Sequence, residues 1–209
     1  MKNLISISFL FALTSCSSIY ENMSLVGVKK FEDIDINPIL SEEFNSAVFD
    51  VEFEVAGNYF SGTLFIKQTS TLVYKSTIIN NAGMNIISFK FDNRKFSLIS
   101  CLEELRNKYI IKTFEDDFRN ILYMPGNSSL VNLLKNEENS NIYMITDSGS
   151  NLYYFLDINF NIYQLDLVRQ SERVVSYIFS YNINFIISQI DINHYNFPLD
   201  IKLTLTKME

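Results

Sequence analysis

The sequence predicts an α+β fold, mainly β, in which a strongly curved antiparallel sheet carries one or two helices inserted in the middle of the chain. The main observation is that apolar and polar residues alternate with a period of two over most of the length, as in strands with one wet face. The period becomes that of an amphipathic helix around residues 103–123. Hydrophobic residues make up 47% and charged residues 20% of the 209 residues, which is typical of one packed domain and excludes a disordered chain.

The amino terminus is predicted to be a signal peptide. Lys2 precedes a ten-residue, mostly apolar stretch, residues 4–13, which has the length of a signal-peptide core and is too short to cross a bilayer. The stretch leads into Leu13-Thr14-Ser15-Cys16, which resembles the lipobox of bacterial lipoproteins. The resemblance implies that the chain is cut before Cys16 and that this cysteine carries acyl chains. The alternative is an ordinary secretory signal with a cysteine nearby by chance.

The lipobox divides the chain into three parts. These are a signal peptide at residues 1–15, a lipidated tether and N-terminal segment at 16–43, and a domain at 44–209. Two or more acyl chains anchor a protein stably to a membrane where one does not. Ser17 follows the cysteine where, in enteric bacterial lipoproteins, an aspartate would favour the inner membrane, so we expect an outer-membrane lipoprotein that faces the periplasm.

The first half of the domain is predicted to be a meander of five antiparallel strands. In the first of these, residues 44–55, apolar Val51, Phe53 and Val55 alternate with acidic residues. Gly62 lies on the apolar face of the second strand, which indicates a bulge, a bend or a close backbone approach. The other four strands are predicted at 59–67, 71–79, 84–91 and 95–101, with short turns between them.

One or two helices are predicted in the middle of the chain. Apolar residues recur every three or four positions within residues 103–123, Phe118 among them, and charged residues separate them. The acidic run at residues 115–117 is predicted to be the solvent face of this helix. A short second helix is predicted at 128–135, where a serine could cap the first turn.

Strands resume after the helical region. We expect the helices to pack into or across the concave face of the single sheet that all the strands form. The later strands are predicted at 141–146, 152–157, 162–169, 173–181, 185–192 and 201–206.

The order of these elements is similar to that of a known family. A lipobox, a five-stranded meander, a mid-chain helical insert and a second set of strands resemble the Lol-type lipoprotein carriers and acceptors, the LolA/LolB-like half-barrel. A group of uncharacterised lipoproteins with that fold is similar in the runs FDVEFEVAGNYFSGTLFIK, NIISFKFDNRKFSLISC and KYIIKTFEDDFRNIL. The resemblance covers roughly residues 44–206. It implies a half-barrel that binds hydrophobic ligands in outer-membrane biogenesis or transport.

Groups that could perform chemistry are few. His194 is the single histidine and stands in a predicted turn, so a loop or capping role is favoured over a general base, and no zinc site is predicted. Asp50, Glu52 and Glu54 alternate along a strand, which is typical of a solvated stripe rather than a catalytic pair. Ser148 is predicted to lie in a hairpin turn. We therefore expect no enzyme, no metal and no cofactor, and the net charge of −7 argues against nucleic-acid binding.

Cys101 is predicted to have no disulfide partner, because Cys16, the other of the two cysteines, would be acylated. Cys101 ends a strand-like run and is predicted to be a small buried apolar side chain rather than a reactive thiol. The fold must therefore be stabilised by its core.

Apolar surface is the remaining feature of the sequence that could support a binding function. The chain has 18 phenylalanines and 12 tyrosines, and the concave face of a curved sheet is too wide for its own side chains to fill completely. An open cavity would indicate a lipid- or lipoprotein-binding module at the outer membrane, with a lipid or acyl chain as partner. A cavity plugged by the helix would indicate a structural or interaction lipoprotein, a subunit of an envelope complex with an unidentified protein partner. Both hypotheses include a membrane attachment through the lipid anchor.

Overall fold

The computed structural model describes residues 20, 22–40, 44–136, 138, 140–147 and 149–209. The predicted signal peptide, residues 1–15, and the predicted lipidation site, Cys16, lie outside the described residues. In the part of the chain that is described, no helix is both long enough and apolar enough to span a bilayer.

The described chain consists of thirteen strands and one α-helix. The helix α1 is Lys108–Leu122, and two short 3-10 turns lie at Phe31–Asp33 and Glu103–Leu105. The strands are β1 Ser24–Lys30, β2 Ser46–Val55, β3 Asn58–Ser70, β4 Val73–Asn80, β5 Asn85–Asp92, β6 Lys95–Cys101, β7 Leu130–Lys135, β8 Asn141–Asp147, β9 Ser150–Leu156, β10 Ile162–Arg169, β11 Glu172–Tyr181, β12 Ile187–His194 and β13 Leu199–Met208.

All thirteen strands form a single sheet in the order β1-β7-β8-β9-β10-β11-β12-β13-β2-β3-β4-β5-β6. Every pairing is antiparallel, and hairpins join most neighbours. Two pairings are not local, because β1 lies beside β7 and β13 lies beside β2. The sheet is not closed into a barrel, since β1 and β6 are its two edges. The prediction of a mainly β fold built on one antiparallel sheet is confirmed.

The sheet curves around α1. The carboxylate of Asp117 accepts a hydrogen bond of 2.9 Å from Tyr177 of β11, while the ring centroid of the next residue, Phe118, lies 4.8 Å from that of Phe89 of β5. The strands β5 and β11 are six positions apart in the sheet, which is about 29 Å if the sheet were flat. Because two adjacent helical residues reach both strands, the sheet must bend and hold the helix on its concave side.

The predicted alternation in β2 is confirmed. Val51, Phe53 and Val55 are buried, whereas the acidic residues between them are exposed. The ring of Phe53 packs edge-on against that of Phe114 of α1, with centroids 5.4 Å apart. At Gly62 the backbones of two strands come unusually close, which is one of the three alternatives that the sequence leaves open, because a Cβ atom there would lie 1.9 Å from the carbonyl oxygen of Ile79.

Only one of the predicted helices is present. The helix α1 begins at Lys108, after Asn107 caps it by accepting a 2.8 Å hydrogen bond from the backbone N–H of Tyr109. The second helix predicted at 128–135 is wrong, since Leu130–Lys135 is strand β7. Its backbone groups pair with β1 on one side and β8 on the other, and this pairing decides between two structures that a short apolar run fits equally well.

Much of the segment 16–43, which the sequence analysis assigns to a lipidated tether and N-terminal segment, belongs to the sheet or its core. Ser24–Lys30 forms the edge strand β1, and Ile39 is buried in the core. Tyr20 lies on the outer, convex face, where its ring centroid is 4.6 Å from that of Tyr153 and its hydroxyl donates a 2.8 Å hydrogen bond to Asp166. The described part of this segment is therefore attached to the folded domain.

Candidate functional site

A cleft of about 780 Å³ opens on the concave side of the sheet, beside the helix. One wall is the carboxyl-terminal half of α1 with the segment that follows it, and the other wall is formed by β7, β8 and β9. Its volume falls in the range of small-molecule binding sites. The lining residues are Val28, Arg94, Arg119, Asn120, Tyr123, Pro125, Gly126, Ser129, Leu130, Asn132, Ile145, Thr146, Asp147, Leu152 and Tyr154.

The apolar part of this cleft consists of a buried floor and an exposed rim. Ile145 and Tyr154 are buried among the residues of the floor. At the rim, Val28 of β1 and Leu130 of β7 are 54% and 67% exposed. Two large apolar side chains thus face solvent at the mouth, where an apolar ligand would cover them.

Arg94 supplies a positive charge to the cleft. Its guanidinium donates to the carbonyl oxygen of Met124 and lies 5.5 Å from the centroid of the Tyr123 ring. Both contacts are with uncharged groups, so neither neutralises the guanidinium. Burial raises the pKa of the Tyr154 hydroxyl, and the nearby Arg94 charge opposes that rise.

A second hollow of about 430 Å³ continues the cleft along α1. The two share Arg119, Asn120, Asp147 and Leu152. Arg119 differs from Arg94 because it is paired, with Asp116 at 2.8 Å and with Glu115. Arg94, which forms no ion pair among the described residues, therefore lies with the apolar floor in the larger part of the cleft, which Asp147 also lines.

The centre of the concave face, by contrast, is filled. Phe114 and Phe118 of α1 are fully buried, and their rings contact those of Phe53 and Phe89. The sequence leaves an open cavity and a helical plug as alternatives, and the structure contains both in different places. The helix plugs the sheet opposite β2 and β5, and space remains opposite β7 to β9.

A buried polar cluster lies beside the plug. Asp117 is 1% exposed, and its Oδ1 accepts from the hydroxyl of Tyr177 at 2.9 Å and lies 3.2 Å from Nε2 of His194. Asn120, which lines the cleft, donates a 3.0 Å hydrogen bond to the Tyr177 hydroxyl. The cluster therefore links the cleft to the far side of the helix. The prediction that residue 117 lies on the solvent face is wrong, because its partners come from strands 60 and 77 residues away.

The contact between Asp117 and His194 requires a proton between Nε2 and the carboxylate, in addition to the proton on Nδ1. The carbonyl oxygen of Leu199 lies 2.5 Å from Nδ1 of His194, so Nδ1 carries a proton and donates it. A second proton must then join Nε2 to Asp117, whichever of the two owns it. Burial raises the pKa of Asp117. Burial alone would lower the pKa of His194, but the hydrogen bond and charge of Asp117 outweigh it and raise that pKa above its ordinary value.

The other described residues that the sequence analysis considered for a chemical role lie outside the cleft lining. His194 ends β12 and bonds across the following turn to Leu199, so a capping role fits, although its buried partner Asp117 was not foreseen. The stripe of Asp50, Glu52 and Glu54 is exposed as predicted. Cys101 is half-buried against the core, and Ser148 lies outside the described residues. Among the described residues, no three His, Cys, Asp or Glu side chains converge in a way that could hold a metal ion.

The cleft residues were not identified from the sequence. Arg94 lies in the turn between β5 and β6, and Tyr154 lies on β9. These elements are far apart in sheet order, and only the curvature brings them together. A lone arginine in a hairpin turn carries no signal that could have distinguished it.

Comparisons with known proteins agree with this architecture. No protein-family model matches the sequence, and no curated protein matches it significantly. Among solved structures, a LolA superfamily protein from Nitrosomonas europaea matches with a TM-score of 0.51 at 8% identity, covering 82% of this chain and 88% of its own. A DUF1329 family protein from Desulfovibrio piger matches with a TM-score of 0.50 at 9% identity, covering 80% of this chain and 86% of its own.

These matches define the class of fold. The chain has the LolA/LolB-like fold, which the sequence resemblance implied. At such low identities the matches concern the fold alone.

Proposed function

We propose that this protein is a lipid-anchored lipoprotein of the bacterial outer membrane that binds an acyl-bearing amphiphile in the cleft beside α1, facing the periplasm. The observation that carries the proposal is the combination of an apolar floor and exposed apolar rim with the charge of Arg94, whose contacts among the described residues are with uncharged groups. The acyl chain would lie against Ile145 and Tyr154, and a negatively charged or strongly polar headgroup would lie near Arg94. No catalytic step and no cofactor belong to the proposal.

Two physical arguments support this ligand class. Covering apolar side chains gains about 25 cal/mol for each Å² removed from water, and the rim residues Val28 and Leu130 are exposed enough to gain from it. A guanidinium also binds phosphate and carboxylate groups in a favourable geometry. The fold class is consistent with this proposal, since the LolA superfamily protein that it matches has the same architecture.

Ligand binding can be tested with two rim variants and one matched control. Val28→Asp and Leu130→Asp place a carboxylate at the mouth of the cleft, and Ile99→Asp places one on the opposite edge strand, β6, at a residue that is 62% exposed. A fluorescent palmitate analogue is the probe. We expect each rim variant to weaken its binding about tenfold, and Ile99→Asp to leave it unchanged. An unliganded wild-type protein that does not bind the probe, or an equal loss in all three variants, would contradict the proposal.

A second candidate function is a structural subunit of an envelope complex, and the edge strand β1 favours it. Leu25 and Val26 of β1 are exposed apolar residues on a strand whose outer edge pairs with no other described strand. Such an edge can add a strand from another protein. This function predicts a protein partner at a fixed ratio in pull-downs from membranes. Leu25→Asp with Val26→Asp would remove that partner and leave palmitate binding intact.

A further inference from the structure

Two hairpin tips carry the most exposed apolar side chains of the described chain. Ile158 lies in the turn between β9 and β10 and is 93% exposed, and Ile183 lies in the turn between β11 and β12 and is 94% exposed. Phe185, in the second turn, is 60% exposed. Because these side chains are almost fully exposed, they contribute no burial of apolar surface to the stability of the fold.

The two tips have the same sequence pattern and the same backbone. Residues 157–161 read Asp-Ile-Asn-Phe-Asn, and residues 182–186 read Asn-Ile-Asn-Phe-Ile. In each, the first side chain accepts hydrogen bonds from the backbone N–H groups two and four residues later, at 2.8 and 2.9 Å in the first turn and at 2.9 and 3.1 Å in the second. The turns are therefore rigid and present their apolar side chains in the same way.

Both turns place a phenylalanine where glycine would be easier to accommodate. Phe160 and Phe185 have φ angles of 64° and 58°, in the left-handed region that is costly for a bulky side chain. A third turn in the same protein, at residues 80–84, has the same hydrogen bonds, which the Asn80 side chain accepts, but places Gly83 at this position, with φ 82°. The backbone N–H groups of Glu138 and Ser140 bond the side chain of Asn136 in the same way, in a turn where the sequence has asparagine at the corresponding position. Phenylalanine is thus not required by the turn, and its presence in two of these four turns indicates a use outside the fold.

The tips lie at one end of this part of the sheet. Strands β9 to β12 are consecutive antiparallel neighbours, so the first and third of their turns close at the same end, about 10 Å apart. Neither tip contains Lys, Arg or Glu, and the one carboxylate, of Asp157, is turned inward to bond Asn159 and Asn161. Each tip is therefore an uncharged apolar point, while the β7–β8 loop at the same end carries the exposed Glu138.

We infer that these two tips insert into a lipid bilayer and fix the orientation of the domain on the membrane. The occupant is a bilayer because the inference rests on the proposed function, in which a lipid anchor at Cys16 attaches the chain to a membrane. Tyr20 is held against Asp166 of β10, four residues from the end of that strand at which the first tip projects, a height of about 13 Å. The proposed anchor, Cys16, is four residues before Tyr20, a reach of at most about 14 Å, so an anchored chain places the bilayer within reach of the tips.

The test uses tryptophan fluorescence, since the chain has no tryptophan of its own. Three reporters are made in the full mature chain: Ile158→Trp and Ile183→Trp at the tips, and Ile99→Trp on β6 as a control of similar chemistry. All carry Cys16→Ala, so that failure of the anchor and failure of the tips are separate results. Vesicles of phosphatidylcholine and phosphatidylethanolamine that contain brominated acyl chains are added to each.

We expect the emission of both tip reporters to shift to the blue and to be quenched by the brominated chains, while Ile99→Trp is unaffected. In the tryptophan-free chain, Ile158→Asp with Ile183→Asp lowers partitioning into vesicles at least about tenfold, and Ile99→Asp does not. Absence of quenching at saturating lipid overturns the inference, and so does equal quenching at all three positions. A blue shift that needs only a second copy or an added envelope protein, without vesicles, overturns it as well.

Discussion

Asp117 and His194 lie 77 residues apart in the chain and face each other in the interior, with Oδ1 and Nε2 separated by 3.2 Å. The contact joins α1 to the last residue of β12. An aspartate and a histidine, which are common catalytic residues, here form a buried structural contact. They hold the helix in register with the sheet and share one buried proton.

This pair predicts a pH dependence of stability. The pKa of His194 is raised in the folded protein, so the folded state keeps a proton that the unfolded chain releases above its ordinary pKa of 6.5. The stabilisation is therefore fully present below pH 6.5 and is lost as the pH rises through the raised value. Urea unfolding at a series of pH values from 5.5 to about 9 measures it.

The control for this prediction is His194→Gln, which removes the single histidine of the chain. We expect the difference in unfolding free energy between wild type and variant to shrink as the pH rises above 6.5. A difference that stays constant or grows with pH would mean that the pair does not hold the proton.

Phe118→Ala is predicted to cost about 3–5 kcal/mol of unfolding free energy. The side chain is fully buried and its ring contacts those of Phe89 and Phe114, so the change leaves a cavity at the centre of the plug. Tyr109→Ala, at a 62% exposed position of the same helix, should change stability by less than about 0.5 kcal/mol. Chemical unfolding of both proteins decides, and a loss below about 1 kcal/mol at Phe118 would refute the plug.

Gly62→Ala is predicted to destabilise the protein by about 3 kcal/mol or more. The added methyl group would lie 1.9 Å from the carbonyl oxygen of Ile79, a backbone atom that cannot rotate away. Gly27→Ala is the matched change, because the nearest atom to its new methyl group is 4.0 Å away. Thermal or urea unfolding that gives equal effects for the two variants would rule out the close approach of β3 and β4.

Phe185→Gly is predicted to raise stability by up to about 1 kcal/mol while it weakens vesicle binding, because glycine adopts a positive φ without cost. The reciprocal change, Gly83→Phe, should lower stability by about 1–2 kcal/mol, although there is open space around that glycine. Calorimetry and vesicle co-sedimentation give the two quantities. If Phe185→Gly is destabilising, the left-handed phenylalanine is there for the fold and not for a surface.

Cys16→Ala is predicted to release the protein from the membrane fraction without unfolding the domain, because stable attachment requires the acyl chains. Cys101→Ala is the matched control, since these are the only two cysteines. Cell fractionation with a circular dichroism spectrum of each purified variant measures both effects. Retention of the Cys16→Ala protein in the membrane fraction would argue against the lipid anchor.

The strands and α1 could be predicted because their signals are local. In β2 the alternation of apolar and acidic residues places one face in the core whatever the neighbouring strands are. In α1 the three- and four-residue spacing of Phe114, Phe118 and Ile121 does the same for a helix. Burial of one face is a property of a single element, so it is visible in a single stretch of sequence.

The features that the sequence analysis missed or predicted wrongly all depend on contacts with residues that are distant in the chain. Strand β1 has almost no buried side chains, so it lacks alternation and is ordered only because β7 lies beside it. The apolar run of β7 fits a helix or a strand until its partners are known. Asp117 looks like a solvent-facing acid until Tyr177 and His194 arrive from the other end of the chain.

By itself, the sequence determined a mainly β chain with an amphipathic helix in its middle, and it predicted a lipid attachment point at Cys16 and no enzyme activity, because periodicity, residue type and short motifs are local. Only the tertiary structure decided where the helix fills the curved sheet and where it leaves a cleft. It alone placed Arg94 over that cleft and set two apolar tips at one end. The physical reason is that the curvature of a thirteen-stranded sheet brings together residues that no local pattern connects.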